Sequence, residues 1–178
     1  MKKGLVHIYT GKGKGKTTAA MGLATRALGY DKKVYIMQFL KGRPTGEKLF
    51  FNKTSNISFN RAGEITKFIN KMNTEEIKKL KYDTKKAWKT IKNIVRKSEF
   101  DLIILDEIMG IIRNSILEIK DVVALIEIKE ESEKKKELIL TGRGAPEELI
   151  KIADYVTEMK AVKHPFNQSV SARRGIEF

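Results

Sequence analysis

The stretch YTGKGKGKTTAA, residues 9–20, decides the fold because it joins an apolar run to a helical segment through a glycine-rich loop. The preceding GLVHIYT, residues 4–10, has the β-branched and aromatic composition of a buried strand. The following TTAAMGLATRALGY, residues 17–30, has the alanine-rich composition of a helix that ends near a glycine. A strand, a glycine-rich loop and a helix in this order predict a phosphate-binding loop.

The loop fits the end of the pattern G-x-x-x-x-G-K-[ST] at Gly15, Lys16 and Thr17, whereas Thr10 stands where the first glycine is expected. Glycines allow consecutive backbone N–H groups to point at an anion, and the helix adds the positive end of its dipole. Lys16 would bridge terminal phosphates, and Thr17 would offer a hydroxyl to Mg²⁺. The predicted phosphate contacts are Thr10, Gly11, Lys12, Gly13, Lys14, Gly15, Lys16, Thr17 and Thr18.

A second motif is LIILDE, residues 102–107, an apolar strand that ends in two acids. A phosphate-loop protein needs a carboxylate at the end of a neighbouring strand, where Asp106 or Glu107 can hold Mg²⁺ directly or through water. Two acids after an apolar strand are common by themselves. Combined with the phosphate loop, they predict a metal-assisted nucleotide site.

The composition bounds the class of protein. The 178 residues, 41% of them hydrophobic, fit one domain with a packed core. No stretch approaches the roughly 18 apolar residues of a membrane span, and the first apolar segment is too short for a signal peptide, so we expect a cytoplasmic protein. The absence of cysteine excludes disulfides, thiolate metal sites and cysteine nucleophiles.

The net charge of +14 would attract any polyanion, so nucleic acid is considered together with nucleotides. The lysines are spread along the chain, including a run at residues 134–136. This distribution favours a solvated basic face over a dedicated nucleic-acid surface.

Strands and helices alternate along the rest of the chain. Further strands are predicted at KKVYIMQFL (32–40), ISFNRA (57–62), FDLIILDEI (100–108) and ELILTGR (137–143), with YVTEM (155–159) and AVKHPF (161–166) as short extended pieces. Helices are predicted from Thr74 to Lys97, capped by Asn73 or Thr74 and with Trp88 in the core, at VVALIEI (122–128) and from Pro146 to Ala153, with KEESEKKK (129–136) as a charged turn. The fold class is therefore α/β: a single P-loop NTPase (RecA-like) domain over residues 1–178, with a mostly parallel central sheet and helices on both faces.

Several motifs resemble one family in their order and spacing: GKGKGKTTAA, QFLKG, GE, ILDE, LTGR followed by AP and ADYVTEM, VKHPF, and a closing GIEF. The chain resembles the P-loop type of ATP:cob(I)alamin adenosyltransferase, also called corrinoid adenosyltransferase. The resemblance covers most of residues 4–178 and is weakest between about residues 51 and 97. Its most specific part is residues 140–166, which a generic ATPase has no reason to carry.

The resemblance implies transfer of the 5′-deoxyadenosyl group of ATP to the cobalt of cob(I)alamin or another reduced corrinoid, with release of inorganic triphosphate. ATP and corrinoid would be substrates, Mg²⁺ (or Mn²⁺) the metal, and a flavoprotein reductase the electron donor. A homodimer is implied by analogy. Because cobalt(I) is itself a strong nucleophile, the protein must align the reacting atoms and exclude water rather than supply a base. The resemblance also implies that ATP lies reversed along the loop, which would explain Thr10.

The resemblance further assigns roles outside the loop. Lys16, Glu107 and His164 would be the catalytic residues, Glu107 would serve Mg²⁺ with Thr17, and Asp106 is the second candidate carboxylate. Read without the resemblance, His164 before a proline is typical of a structural loop residue, and Arg26 of a surface salt bridge. The nucleotide or corrinoid contacts implied beyond the loop are Arg26, Gln38, the Lys41–Gly42 turn, Arg143 and Phe68.

Two departures from the family pattern stand out. An aromatic pair that keeps the lower axial ligand from cobalt often follows the glycine at position 63, but the stretch here is GEITKF, residues 63–68. Phe68 displaced in register, or Ile65, would take that part. NQS at residues 167–169 replaces a glycine-containing turn.

Two rival functions remain open at this point. A P-loop ATPase or kinase would also carry both motifs and would produce ADP. A RecA-like ATPase stimulated by nucleic acid would account for the positive charge and would bind with strong salt dependence.

Overall fold

The computed structural model describes residues 4–65, 67–97, 99–165 and 171–177. Within these residues six strands form one sheet in the order β3-β2-β4-β5-β1-β6, and all of its hydrogen-bonded neighbours are parallel. The strands are β1 (Val6–Thr10), β2 (Val34–Gln38), β3 (Ile57–Arg61), β4 (Leu102–Asp106), β5 (Glu137–Thr141) and β6 (Tyr155–Glu158). The helices are α1 (Lys16–Leu28), α2 (Gly46–Phe51), α3 (Thr74–Lys97), α4 (Ile108–Arg113), α5 (Ile119–Glu131) and α6 (Glu147–Ile152), with a short 3₁₀ turn at Ile69–Lys71.

The sheet has a buried apolar layer on each face, because β2 and β4 are apolar at nearly every position and successive side chains point to opposite faces. One layer joins α1 to Ile36, Ile104 and Ile139. The other joins α3 and α5 to alternate residues of the same strands, such as Tyr35 and Ile103. The predicted α/β class with helices on both faces is confirmed.

Helix α3 is the longest helix and begins as the sequence predicts. Asn73 Oδ1 accepts the backbone N–H of Glu76 at 2.9 Å, and Glu76 Oε2 accepts the N–H of Asn73 at 2.8 Å, which forms a reciprocal cap. Trp88 is 6% exposed in the core, as predicted.

Three local predictions are wrong. The AVKHPF segment, predicted as a short extended piece, bends at Val162 and Lys163 and forms no strand over its described residues 161–165. Helix α5 runs through Lys129 into the predicted charged turn, and both Lys129 and Lys136 are buried rather than on a solvated face. Each ammonium donates to a backbone carbonyl, Lys129 to Gly4 at 2.6 Å and Lys136 to Lys134 at 3.0 Å, which offsets the loss of water.

The sheet order also corrects the expected relation of the two motifs. Strand β4, which carries Asp106, is not the neighbour of β1, because β5 lies between them. Short helices α2 and α4, which the sequence analysis did not predict, follow the loops after β2 and β4. Within the described ranges, no helix is long and apolar enough to cross a membrane.

We predict that Thr84→Val stabilises the protein. Thr84 in α3 is fully buried, and its hydroxyl has no hydrogen-bond partner within the described part of the chain. Valine keeps the shape and removes the unsatisfied polar atom, so urea unfolding should show a gain of about 1 kcal/mol in the free energy of unfolding. Thr90→Val on the exposed face of α3, where the hydroxyl bonds the carbonyl of Lys86 at 3.3 Å, is the control and should change stability by less than about 0.5 kcal/mol. A Thr84→Val protein no more stable than the original would contradict the prediction.

Candidate functional site

The carboxylate of Asp106 is the centre of a polar cluster where four parallel strands end. Asp106 is the last residue of β4 and is 0% exposed. Its Oδ1 accepts the hydroxyls of Thr141 at 2.7 Å and Thr17 at 3.0 Å, and its Oδ2 accepts Gln38 Nε2 at 2.9 Å and Lys41 Nζ at 3.1 Å. A buried carboxylate is stable only when charged or strongly polar donors replace its water, and these four donors do so.

A second layer of contacts fixes the donors themselves. Gln38 Oε1 accepts Arg61 Nε at 3.0 Å, and Arg61 Nη2 reaches the hydroxyl of Thr45 at 3.2 Å. Thr141 Oγ1 also accepts the backbone N–H of Glu107 at 3.0 Å. The ends of β2, β3, β4 and β5 are therefore linked through side chains as well as through the sheet.

The phosphate loop curls around its own lysine. Lys16 is 6% exposed, and its ammonium donates to the carbonyls of Gly11 and Gly13 at 2.7 Å each. Burial lowers the pKa of Lys16, an effect that the charge of Glu107 partly opposes. The two carbonyl oxygens thus hold the Lys16 ammonium in place within the loop. The oxygens of a bound phosphate can take over as acceptors of its hydrogen bonds.

The loop glycines are required partly because β6 lies against them. Gly13 N donates to Met159 O at 2.6 Å, and a Cβ on Gly11, where φ is +98°, would lie 2.5 Å from the same oxygen. Thr10, at the departure from the pattern, is buried at the end of β1, and its hydroxyl accepts the N–H of Ala145 at 3.2 Å. Its side chain therefore has a structural partner in this fold.

Glu107 stands next to the cluster in a left-handed conformation, with φ of +61°. Such a conformation is uncommon for a residue other than glycine and often marks a functional position. Burial, and then the charge of Asp106, raises the pKa of Glu107. Its side chain borders the same cleft as Lys16 and Thr17.

A cleft of about 650 Å³ opens above the loop. Among the described residues, seven cationic side chains and three carboxylates border it, so its field favours an anionic ligand. The cationic side chains are those of Lys14, Lys16, Lys41, Arg143, Lys160, Lys163 and Arg173; the carboxylates are those of Glu47, Glu107 and Glu177, and His164 and Thr18 also line the cleft.

The C-terminal segment covers one side of this cleft. Glu177 Oε1 lies 3.0 Å from Lys14 Nζ and 3.1 Å from Arg173 Nη2. Hydrogen bonds from Arg173, and then from Lys14, lower the pKa of Glu177 to about 2. Residues 171–177 therefore lie beside the phosphate loop, although they are far from it in sequence.

Several predicted site residues do not border the cleft. Thr10, Gly11, Gln38 and Asp106 are buried, and three further residues are exposed elsewhere. Lys12 is exposed in the loop but does not border the cleft. Arg26 is exposed in the last turn of α1, roughly 15 Å along the helix from Lys16. Phe68 is 78% exposed and borders a separate groove of about 300 Å³ with Leu40 and Ile65. Residue 166 of the VKHPF motif and the NQS departure lie outside the described residues.

The structure adds site residues that the sequence analysis did not single out. Thr141 binds Asp106 directly, Arg61 supports Gln38, and Glu47 borders the cleft with its Oε2 buried and without a hydrogen-bond partner among the described residues. A signal for Thr141 was available, because it ends an apolar strand as Asp106 and Gln38 do. Glu47 lies in an unpredicted helix and had no such signal.

The oxygen donors near Thr17 suit Mg²⁺ better than a softer metal. Among the described residues no group of three or more His, Cys, Asp or Glu could hold a metal ion. Mg²⁺ commonly takes one or two protein carboxylates and completes its shell with water and substrate phosphates. Thr17, Asp106 and Glu107 fit that mode of binding.

We predict that Thr141→Val is less stable than Thr141→Ser, although valine is the more hydrophobic side chain. Valine deletes the hydroxyl that donates to Asp106 and accepts from the N–H of Glu107, so it leaves buried polar groups unpaired at a cost of about 1–3 kcal/mol. Serine keeps both bonds and loses one methyl group, worth about 1 kcal/mol. Urea unfolding of the two variants measures the difference, and equal stability or a more stable Thr141→Val would contradict the assigned contacts.

Comparison with known proteins shows which family this chain resembles. The family model described as ATP:corrinoid adenosyltransferase BtuR/CobO/CobP matches residues 2–178. A corrinoid adenosyltransferase of Sinorhizobium sp is 35% identical over 183 residues, covering 99% of this chain and 81% of the relative. Corrinoid adenosyltransferases of Pseudomonas aeruginosa and Escherichia coli K12 are each 34% identical, covering 99% of this chain and 85% and 87% of their own lengths. The chain belongs to the ATP:corrinoid adenosyltransferase family.

Proposed function

We propose that this protein transfers the 5′-deoxyadenosyl group of ATP to the Co(I) of a reduced corrinoid, giving adenosylcobalamin and inorganic triphosphate. Cobalt(I) supplies the electron pair of the new cobalt–carbon bond. The C5′–O bond breaks, and its electrons leave with the triphosphate. The observation that carries the proposal is the enclosed Lys16 at the base of a mainly cationic cleft, in a chain of this family.

The main electrostatic task is to stabilise the leaving triphosphate. Negative charge develops on the α-phosphate oxygen that leaves C5′, and preorganised cations facing the phosphates lower the barrier to that step. Lys16 and Lys14 would take this role at the loop, and Arg143, which follows β5, also borders the cleft. ATP reversed along the loop would leave C5′ open towards the corrinoid and would spare the β–γ bond.

Mg²⁺ (or Mn²⁺) bound with the triphosphate would neutralise part of its charge. Thr17, Asp106 and Glu107 would hold it, with phosphate oxygens and water as the other ligands. The protein residues need not activate water, because the nucleophile is cobalt. His164, at the rim of the cleft, would help to close the reacting atoms off from solvent.

The corrinoid would lie against the loop that follows β3. Ile65 packs on the core, and its backbone lies so close to Gly42 that a Cβ there would be 2.0 Å from Ile65 O. This loop is therefore tied to the turn that carries Lys41. We propose that the exposed ring of Phe68, with Ile65, provides the apolar surface that keeps a lower axial ligand away from cobalt.

Further parts of the proposal rest on family analogy and on the charge of the protein. Residues 1–178 would act as one cytoplasmic domain, as a homodimer that receives electrons from a flavoprotein reductase. Nucleic acid is not a proposed partner, since the basic cleft is accounted for by a triphosphate.

The product of ATP tests the proposal. Anaerobic incubation with Mg-ATP and chemically reduced cobalamin should change the cobalt spectrum and release triphosphate. ADP with an unaltered corrinoid would contradict it and would favour an ATPase or kinase, and stimulation of ADP release by polynucleotide would favour the RecA-like alternative.

We predict that Lys16→Ala lowers the rate of transfer by at least about 100-fold, because the leaving triphosphate loses its enclosed cation. Lys86→Ala is the control, because it also removes one lysine, on the exposed face of α3. This variant should transfer the adenosyl group at the original rate. Single-turnover formation of the cobalt–carbon bond, followed by absorbance, is the measurement. Transfer by Lys16→Ala at the original rate would remove Lys16 from the site.

A further inference from the structure

The ammonium of Lys41 lies between two oxygen atoms that the proposed function assigns to a metal. Lys41 Nζ is 3.0 Å from Thr17 Oγ1 and 3.1 Å from Asp106 Oδ2. Of the four described side chains that donate to Asp106, Lys41 is the one that carries a full positive charge. The ammonium therefore occupies the position that a metal bound by both Thr17 and Asp106 would take.

The ammonium and a magnesium ion cannot both occupy this position. Mg²⁺ binds oxygen at about 2.1 Å and demands near-octahedral geometry, so a metal that binds Thr17 and Asp106 must take the place of the Lys41 ammonium. The Lys41 side chain is 29% exposed and borders the cleft, whereas Asp106 is fully buried. The ammonium can therefore withdraw into the cleft, but the carboxylate cannot follow it.

The backbone holds Lys41 in place through two neighbours. Leu40, just before it, has φ of +55°, an uncommon conformation for leucine. Gly42, just after it, has no room for a Cβ against the backbone of Ile65. Such a constrained turn fixes the position of the Lys41 backbone. Only the Lys41 side chain is then free to move its ammonium away from Asp106.

We propose that Lys41 is a resident counter-cation: it neutralises Asp106 while the site is empty and yields the position to Mg²⁺ only when triphosphate binds with the metal. The released ammonium then faces the phosphates across the cationic cleft. The empty protein thus resists binding a metal without its nucleotide, because bare Mg²⁺ must displace the ammonium without any phosphate ligand in return. The inference rests on the proposed function for the metal position at Thr17 and Asp106 and for the identity of the phosphate ligand.

The test measures metal binding by the nucleotide-free protein, which does not depend on adenosyl transfer. Mn²⁺ serves as the probe by electron paramagnetic resonance, and Mg²⁺ competes with it. Lys41→Met should bind Mn²⁺ about tenfold or more tightly than the original protein, because the competing cation is gone. Lys41→Gln keeps a hydrogen-bond donor without the charge and should also bind Mn²⁺ more tightly, which covers the case in which the methionine variant does not fold.

Lys163→Met is the matched control, since it removes one cationic side chain from the same cleft without touching Asp106. Lys163→Met should change Mn²⁺ affinity by less than about twofold, because the charge of Lys163 acts on the metal only at a distance and is screened by salt. With inorganic triphosphate present, the original protein should gain Mn²⁺ affinity and its difference from Lys41→Met should narrow. Equal affinity in the original and both Lys41 variants, or an equal gain in Lys163→Met, would overturn the inference whatever reaction the protein catalyses.

Discussion

The buried carboxylate of Asp106 is the interaction on which the site depends. It carries a charge that water cannot reach, so hydrogen-bond donors or cations must surround it for the folded state to be stable. Those donors come from the helix after β1, from the end of β2 and the turn beyond it, and from the end of β5. A single side chain thereby sets the relative positions of the phosphate loop and of the loops that border the cleft.

This arrangement explains how a parallel α/β fold with a phosphate loop can serve adenosyl transfer. Parallel strands bring their carboxyl ends to one edge, and a phosphate loop at that edge serves many nucleotide enzymes. Here the cleft above the loop is lined mainly by cations and closed on one side by the C-terminal segment, where Glu177 pairs with Lys14. Such a site can hold a whole triphosphate as a leaving group, while the substrate cobalt supplies the nucleophile.

The parts of the site that sequence could predict are those coded by neighbouring residues. The loop at Gly15, Lys16 and Thr17 and the acids Asp106 and Glu107 follow local patterns of strand, turn and helix. The contacts of Thr141 and Lys41 with Asp106 depend on the order of strands, with β5 on one side of β4 and β2 on the other, and no local pattern encodes that order. The burial of Lys136 was missed for a related reason, because a run of lysines is typical of a solvated surface until tertiary packing encloses one of them.

Amide hydrogen exchange of the Asp106→Asn variant tests most directly whether this carboxylate holds the site together. The amide keeps the shape of the side chain but removes the charge and turns one acceptor into a donor. We predict that backbone amides exchange faster in all four segments around the carboxylate: the phosphate loop, the turn after Gln38, Glu107 and the loop after Thr141. The amides of α3 and α5 should keep their protection. Faster exchange confined to the end of β4, with the other three segments unchanged, would contradict the account.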